Sequence, residues 1–505
     1  MDIYAQAVLH PYLTLFGISV ILALRKEFSG RSRSRLPLPP GPKGYPIVGN
    51  LFDMPQERTW LVYNEWFKIY GDMVYFKVFG QGYLILGSSE RTNDLFEKRS
   101  TNYSDRMEPT MLIDLMQWQF NMAFLPYGSW WRRHRRAFHE HFHANAAVKY
   151  YPIQLRETHA FLRRLLVTPE NLRHHIRHTF GATIMDVAYG INVSEGNDPY
   201  ISTAEEALYG LSQAGIPGQF LVDFVPILKH IPSWFPGANF KRKADHWRRL
   251  NIDMAVKPFE HVKKMLHLGT AGPSLAATLI EGLPNEGGER RAEEEELARN
   301  TAAVAYVGGA DTTVSAVQFF FLAMAMYPDV QRKAQAEIDA VVGSNRLPDF
   351  NDRQALPYVS AMVKETMRWQ AVSPLAIGHK CSSDDEYNGT LLHDPEVYPS
   401  PEEYKPERWL RDGQLDPTAQ DPTVAFGYGR RICPGRYMSD NSLYAMIALT
   451  LAVYNITPSM DDQGNPIPLT PEPTSGMLSY PAPYQCTIKP RSYAAEALIR
   501  EHNTE

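Results

Sequence analysis

Apolar residues run almost unbroken from Val8 to Leu24, with His10 and Pro11 near the front, and cations follow at once at Arg25, Lys26, Arg31, Arg33 and Arg35. About 17 residues is the short end of a membrane span. A cleaved signal peptide would carry its charge before the apolar run. The pattern therefore predicts a membrane anchor over 1–24 that leaves the remaining chain on the cytosolic side. A buried N-terminal helix is the alternative. Residues 25–49 read as a basic and proline-rich hinge, because Leu36-Pro-Leu-Pro-Pro-Gly-Pro-Lys-Gly is a stiff, extended run. Residues 50–505 read as the folded body.

Within that body helical periodicity dominates. Trp60 to Tyr70 is amphipathic, whereas Val74 to Leu86, broken by Gly80 and Gly82, predicts a strand pair. Trp130 to Arg136 opens a helix. The longest helix runs from about Glu293 to Met326 and ends before Pro328; a further one covers Pro357 to Gln370, and an apolar one Leu443 to Val453. Asn102 to Pro126 is irregular and rich in Met and aromatics, which suits an adaptable ligand wall, although an ordinary core loop would look similar. Phe220 to Phe240 is an apolar connection whose Trp234 and Phe235 would either dip into a membrane or be buried. Ala271 to Arg291 reads as a Gly/Pro-rich surface linker. The fold class is mainly α with small β-sheets.

Composition narrows the function. The 505 residues are 44% hydrophobic and 21% charged with net charge −5. That is ordinary globular composition with no polycation, so nucleic acid is not a partner. The cysteines, Cys381, Cys433 and Cys486, match neither a zinc cluster nor a disulfide framework.

The chemistry concentrates around Phe426-Gly-Tyr-Gly-Arg-Arg-Ile-Cys433-Pro-Gly435. Gly427, Gly429 and Gly435 clear side chains where a flat macrocycle must approach the backbone. Pro434 and Gly435 fit a helix start, whose free N–H groups would favour a thiolate at Cys433. Arg431 can pair with a carboxylate. Trp131 and Arg135 lie one turn apart and can share one anion, though a solvated basic face has the same spacing. Gly308-Gly309-Ala310-Asp311-Thr312-Thr313 stands mid-helix. Glycines there fit a flat ligand, an opened hydrogen-bond ladder or a close helix crossing. The Thr312 hydroxyl can then bond a ligand or water instead of the i−4 carbonyl, and Asp311 can relay protons. Glu365 and Arg368 share a helix face, and Arg408 could join them. A rival motif is His139-Glu140-His141-Phe142-His143, a literal HExxH, which would make a zinc peptidase. No metzincin extension follows it, and the surrounding cations repel a metal.

Taken together, FxxGxRxCxG (Phe426 to Gly435), GGxDTT (Gly308 to Thr313), ExxR (Glu365, Arg368), PERW (Pro406 to Trp409) and WxxxR (Trp131, Arg135) resemble the cytochrome P450 superfamily in order and spacing. The Pro-rich hinge is similar to that of microsomal members, and the overall texture to fungal specialised-metabolism members. The resemblance implies a P450-like fold with a long central helix over haem b, and a haem-thiolate catalytic domain over 50–505. It implies Cys433 as axial thiolate, with Phe426 and Gly435 beside the haem. Trp131, Arg135, Arg431 and His379 would hold propionates. Asp311 and Thr312 would deliver protons, and Glu365, Arg368 and Arg408 would form a structural triad. The implied activity is monooxygenation of a lipophilic small molecule, in fungal secondary metabolite biosynthesis. Electrons would come from NADPH through cytochrome P450 reductase, with cytochrome b5 as a further donor, docking near Arg132, Arg133 and Arg136. The implied location is the endoplasmic reticulum membrane, by a single-pass anchor.

One segment departs from the family. After Gly389 roughly 14 residues, enough for two short strands, are lacking, so one β-hairpin is expected to be missing. Lys380 also stands where the family usually has Arg. A haem-binding but inactive relative is therefore the alternative reading.

Overall fold

Sequence periodicity becomes a helical body with a few short ladders in the computed structural model, which describes residues 37–196, 198–385, 387 and 400–501. The anchor predicted over 1–24, the first part of the hinge (25–36) and the place after Gly389 where a strand pair is lacking lie outside the described residues.

Helix α1 (Thr59–Tyr70) covers the hairpin of β1 (Met73–Val78) and β2 (Gln81–Leu86). The strands pair antiparallel from Met73 opposite Leu86 to Val78 opposite Gln81. Phe79 and Gly80, at φ of 46° and 81°, make a two-residue turn whose twist matches the strands. Strand β3 (Asp105–Arg106) pairs with β4 (His379–Lys380) across most of the chain, Arg106 opposite His379. Between them come α2 (Ser129–Phe142), α3 (Tyr151–Val167), α4 (Leu172–Tyr189), α5 (Pro199–Ala214), α6 (Asn239–His267), α7 (Glu289–Met326), α8 (Pro328–Val341) and α9 (Pro357–Trp369). Helix α10 (Arg436–Val453) runs into β5 (Tyr454–Pro458), which pairs with β6 (Cys486–Pro490), and α11 (Tyr493–Glu501) follows.

Local chemistry sets several ends. Asp198 caps α5 by accepting from the Tyr200 and Ile201 N–H groups at 2.8 and 3.4 Å, just ahead of Pro199. Gly190, at φ 64°, ends α4 in the left-handed conformation.

Helix α7 is the axis of the core. Its N-terminal half packs into one apolar cluster with Ile184, Leu208 and Trp247, and its C-terminal half into a second with Phe161, Met362 and Leu449. It is the described helix long and apolar enough to cross a membrane, yet 78% of its apolar window is buried inside the body, so it is a core helix. Gly309 answers the question the sequence left open. A Cβ there would lie 2.7 Å from Ile184 Cγ1, so this glycine permits the α4–α7 crossing, while Gly308 has nothing within 4 Å.

Two expectations are corrected. The linker Ala271 to Arg291 contains a helix, Leu275–Glu281, whose Ser274 cap accepts from the Ala277 N–H at 3.2 Å and whose Leu275, Ala276 and Ala277 are buried. A short apolar run between glycines could dock, and docking decided it. The central helix starts at Glu289, not near Glu293, directly after Gly288 at φ 111°.

Candidate functional site

The segment before α10 folds back on itself. The Cys433 N–H donates to the Phe426 carbonyl at 2.8 Å, closing the loop. Gly429 sits at φ 56°, and a Cβ there would be 2.1 Å from the Phe96 carbonyl oxygen, so no other residue fits without moving the backbone. Gly435 lies just ahead of Arg436, the first residue of α10, and a Cβ on it would be 3.9 Å from Cys433 Sγ. The thiol faces a cavity of about 4460 Å³ that Thr312 and Phe426 also line. Burial pushes the Cys433 thiol up; the Gly435 and Arg436 N–H groups, Arg135 and Arg436 pull it down, and burial wins. The helix start alone therefore does not make a thiolate, contrary to expectation. A metal cation against Sγ reverses that balance.

Beside the cysteine stands a cluster of positive charge in which three guanidiniums face one nearby carboxylate, Asp105, which pulls on Arg106 and Arg431 without a direct ion pair. Buried Arg431 donates to the carbonyls of Ser104 at 2.7 Å, Leu125 at 2.8 Å and Met122 at 3.3 Å, and lies 4.5 Å over the Trp131 ring. Buried Arg106 donates to the carbonyls of Ala123 and Gly378, both at 3.0 Å, and of Ile377. Neither guanidinium forms an ion pair among the described residues. Burial, then Arg431, pushes Arg106 down to about 9, and burial pushes Arg431 down to about 10. Half-buried Arg135 is also shifted down by burial, and neither its guanidinium nor the Trp131 indole N–H has a partner among the described residues. Buried guanidiniums bonded to neutral carbonyls, with only Asp105 nearby to offset them, are an electrostatic cost that a further anion would lower. The cluster fits a flat group carrying carboxylates next to a metal that a thiolate can hold.

His379 is placed differently from expectation. Its Nδ1 is 2.6 Å from the Tyr103 carbonyl, its ring stacks on Phe96 at 4.2 Å, and burial followed by Arg106 pushes it down to about 3. It is therefore neutral with Nδ1–H donating, so Nε2 offers no proton to a carboxylate. Holding a propionate would require that carboxylate to recharge the ring first.

On α7 the two predicted proton carriers part. Thr312 lines the cavity but donates to the Gly308 carbonyl at 2.7 Å, the i−4 bond that the sequence reading had it leave, and α7 is unbroken. Asp311 is buried and turned away, accepting from Arg177 at 2.8 Å and from the Tyr480 hydroxyl. Arg177 and Tyr480 were not legible as site residues, because α4 and the loop before β6 meet Asp311 only in the fold. Arg106 was missed for the same reason.

Glu365, Arg368 and Arg408 do assemble. Fully buried Glu365 accepts from Arg368 at 2.8 and 2.9 Å, Arg408 at 3.1 Å, the Trp409 indole at 3.0 Å and the Lys405 N–H at 2.6 Å.

The HExxH reading is overturned. His143 lies outside α2 in extended backbone, with its ring centroid 5.4 Å from that of His139, and Glu140 adds no third ligand. Among the described residues no group of three His, Cys, Asp or Glu side chains is placed to hold a metal. On the predicted docking face, Arg133 is taken up by Glu293 and Glu294 at 2.7 and 3.0 Å, while Arg132 and Arg136 are exposed.

Comparison with known proteins agrees with this geometry. The family model described as Cytochrome P450 matches residues 39–488. The chain is 47% identical over 495 residues to cytochrome P450 monooxygenase COX2 of Coprinopsis cinerea, covering 95% of this chain and 94% of that protein. It is 45% identical over 485 residues to COX1 of the same fungus, covering 92% and 94%. It is 40% identical over 496 residues to the tryptamine 4-monooxygenase of Psilocybe cyanescens, covering 94% and 97%.

Proposed function

The chain belongs to the cytochrome P450 family, and on that premise we propose that Cys433 ligates the haem iron while Arg106, Arg135, Arg431 and Trp131 hold the haem carboxylates. As a family member it is a haem-dependent monooxygenase that takes electrons from a reductase and oxidises a lipophilic small molecule. Bound haem supplies dioxygen activation, with one oxygen atom entering the substrate and the other leaving as water.

The observation that carries the site assignment is the group of buried guanidiniums, lacking a direct ion pair among the described residues, beside a cavity-facing cysteine. Phe426 holds the cysteine loop through its carbonyl, and Gly435 leaves the sulfur uncovered. Thr312 presents a hydroxyl at the cavity wall. Asp311, held by Arg177 and the Tyr480 hydroxyl, would relay protons toward Thr312 on turning to the cavity. Glu365, Arg368 and Arg408 tie α9 to the loop at Pro406–Trp409 and serve the fold. Apolar walls from Phe124, Val304, Val372 and Met477 suit a lipophilic product of fungal specialised metabolism.

The finer partners follow from the surface. Exposed Arg132 and Arg136 suit the acidic face of NADPH–cytochrome P450 reductase or cytochrome b5. Residues 1–24 would anchor the chain in the endoplasmic reticulum, 25–49 would space it, and 50–505 would be the catalytic domain. Ile227, Trp234 and Phe235, exposed by 70, 77 and 47%, would rest on the bilayer.

The test is the purified chain's reduced carbon monoxide spectrum, followed by turnover with NADPH and reductase. A thiolate-type Soret band with oxygenated product is expected; failure to retain haem would overturn the reading. One observation favours the inactive alternative: the outer edge of β2 has no partner strand among the described residues. A thiolate band without turnover would select it.

Arg135→Ala separates anion holding from folding. Because Arg135 has no hydrogen-bond or ion-pair partner among the described residues, thermal stability before haem loading is expected to be unchanged or slightly higher. Haem transfer to apomyoglobin should nevertheless speed up about tenfold, the loss of one charge-assisted bond.

A further inference from the structure

The cavity that reaches Cys433 also carries an unneutralised carboxylate at its other end. Asp223 sits in the turn Leu221–Asp223, half-buried at the cavity wall. Its Oδ1 accepts from the Met111 N–H at 2.8 Å. No lysine, arginine or histidine pairs with it among the described residues; the nearby Lys229 is taken by Asp114 at 2.6 Å. The other cavity-wall acids are differently placed. Asp72 is bonded to Arg91 at 3.1 Å and Asp385 to Arg99 at 2.8 Å, while Glu108 and Asp384 lie exposed. Burial pushes the Asp223 carboxyl up to about 6, which still leaves it ionised at neutral pH.

Aromatic rings line the same cavity, beginning with the neighbouring residue Phe224. Phe224 lies 6.2 Å from Phe79 and 6.4 Å from Tyr83, ring centre to ring centre, and all three line the cavity. Asp223 raises the Tyr83 phenol further above its ordinary range, so hydroxyl and carboxylate feel each other directly. A half-desolvated carboxylate flanked by π faces attracts a cation twice, by Coulomb attraction and by the ring quadrupoles. A neutral ligand gains neither, and a carboxylate ligand is repelled.

We propose that Asp223, sharing the cavity wall with Phe79, Tyr83 and Phe224, is a specificity site that selects substrates with a basic or quaternary nitrogen at the end remote from the oxidised position. The inference rests on the haem assignment at Cys433 and deepens it by naming the substrate class: lipophilic cations, an apolar stem directed toward Cys433 and a positive head at Asp223.

The test titrates the haem-loaded enzyme with decyltrimethylammonium, 2-undecanone and decanoate, following the Soret shift and, independently, heat of binding. The quaternary head cannot ligate iron, which removes that ambiguity. Asp223→Asn keeps the oxygen that accepts from Met111, and Asp223→Glu keeps the charge. The Asn variant is expected to bind decyltrimethylammonium about tenfold more weakly, decanoate more tightly and 2-undecanone within about twofold of the parent. The Glu variant should recover most of the cation affinity. Equal changes for all three probes, or none for the cation, would overturn the proposal. If 2-undecanone binds the parent by heat but leaves the Soret band unmoved, the cavity does not reach the haem, and the assignment at Cys433 fails first.

Discussion

Cys433→Ala is expected to purify without the thiolate-type carbon monoxide band and without oxygenated product, while retaining part of its haem. The partial retention follows from a division of labour. Arg106, Arg135 and Trp131 lie on other segments and, with Arg431 of the cysteine loop, would hold the carboxylates without help from sulfur. The sulfur alone donates electron density to the iron, and alanine supplies none. No other thiol can substitute: Cys381 is exposed, and Cys486 belongs to β6. Product formation should fall below detection. The check is the reduced carbon monoxide spectrum beside a haem stain of the same preparation. A thiolate band surviving in the alanine variant would refute the assignment.

Glu365→Gln carries the second large effect, on folding. The parent carboxylate is 0% exposed and takes bonds from two guanidiniums whose side chains are only 7 and 9% exposed. Glutamine has nearly the same volume, but its NH₂ faces donors and its neutrality removes the carboxylate that two buried cations share. Breaking one side of a buried ion pair costs roughly 3–5 kcal/mol, a large share of a domain's net stability. The expected outcome is low soluble yield and a much earlier denaturant midpoint, with Arg408→Lys milder because the charge remains. A shift of less than about 1 kcal/mol would show that solvent reaches this cluster.

Legibility followed locality. Helices α1, α2, α7, α9 and α10 were readable because each carries its own period and punctuation, such as the stop before Pro328. The helix Leu275–Glu281 was not, since seven residues between glycines have no autonomous helical stability and form by docking. The β3–β4 ladder was invisible for the opposite reason: two residues carry no strand period, and their partners lie some 270 residues away.

What the sequence by itself determined is the chemistry on offer. A cysteine in a glycine-rich bend, a Glu/Arg pair and a threonine beside an aspartate in a long helix are local facts, and the structure brings the cysteine and Thr312 to one cavity. Only the tertiary structure decided how those groups are charged and aimed. It buried Arg106 and Arg431 without a direct ion pair, set His379 against the Tyr103 carbonyl and the Phe96 ring, turned Asp311 toward Arg177 and Tyr480, and left Asp223 without an ion pair in the cavity wall. Burial and counter-ions set the free energy of a charge, and both come from segments far apart in the chain, so the residue names could not reveal them.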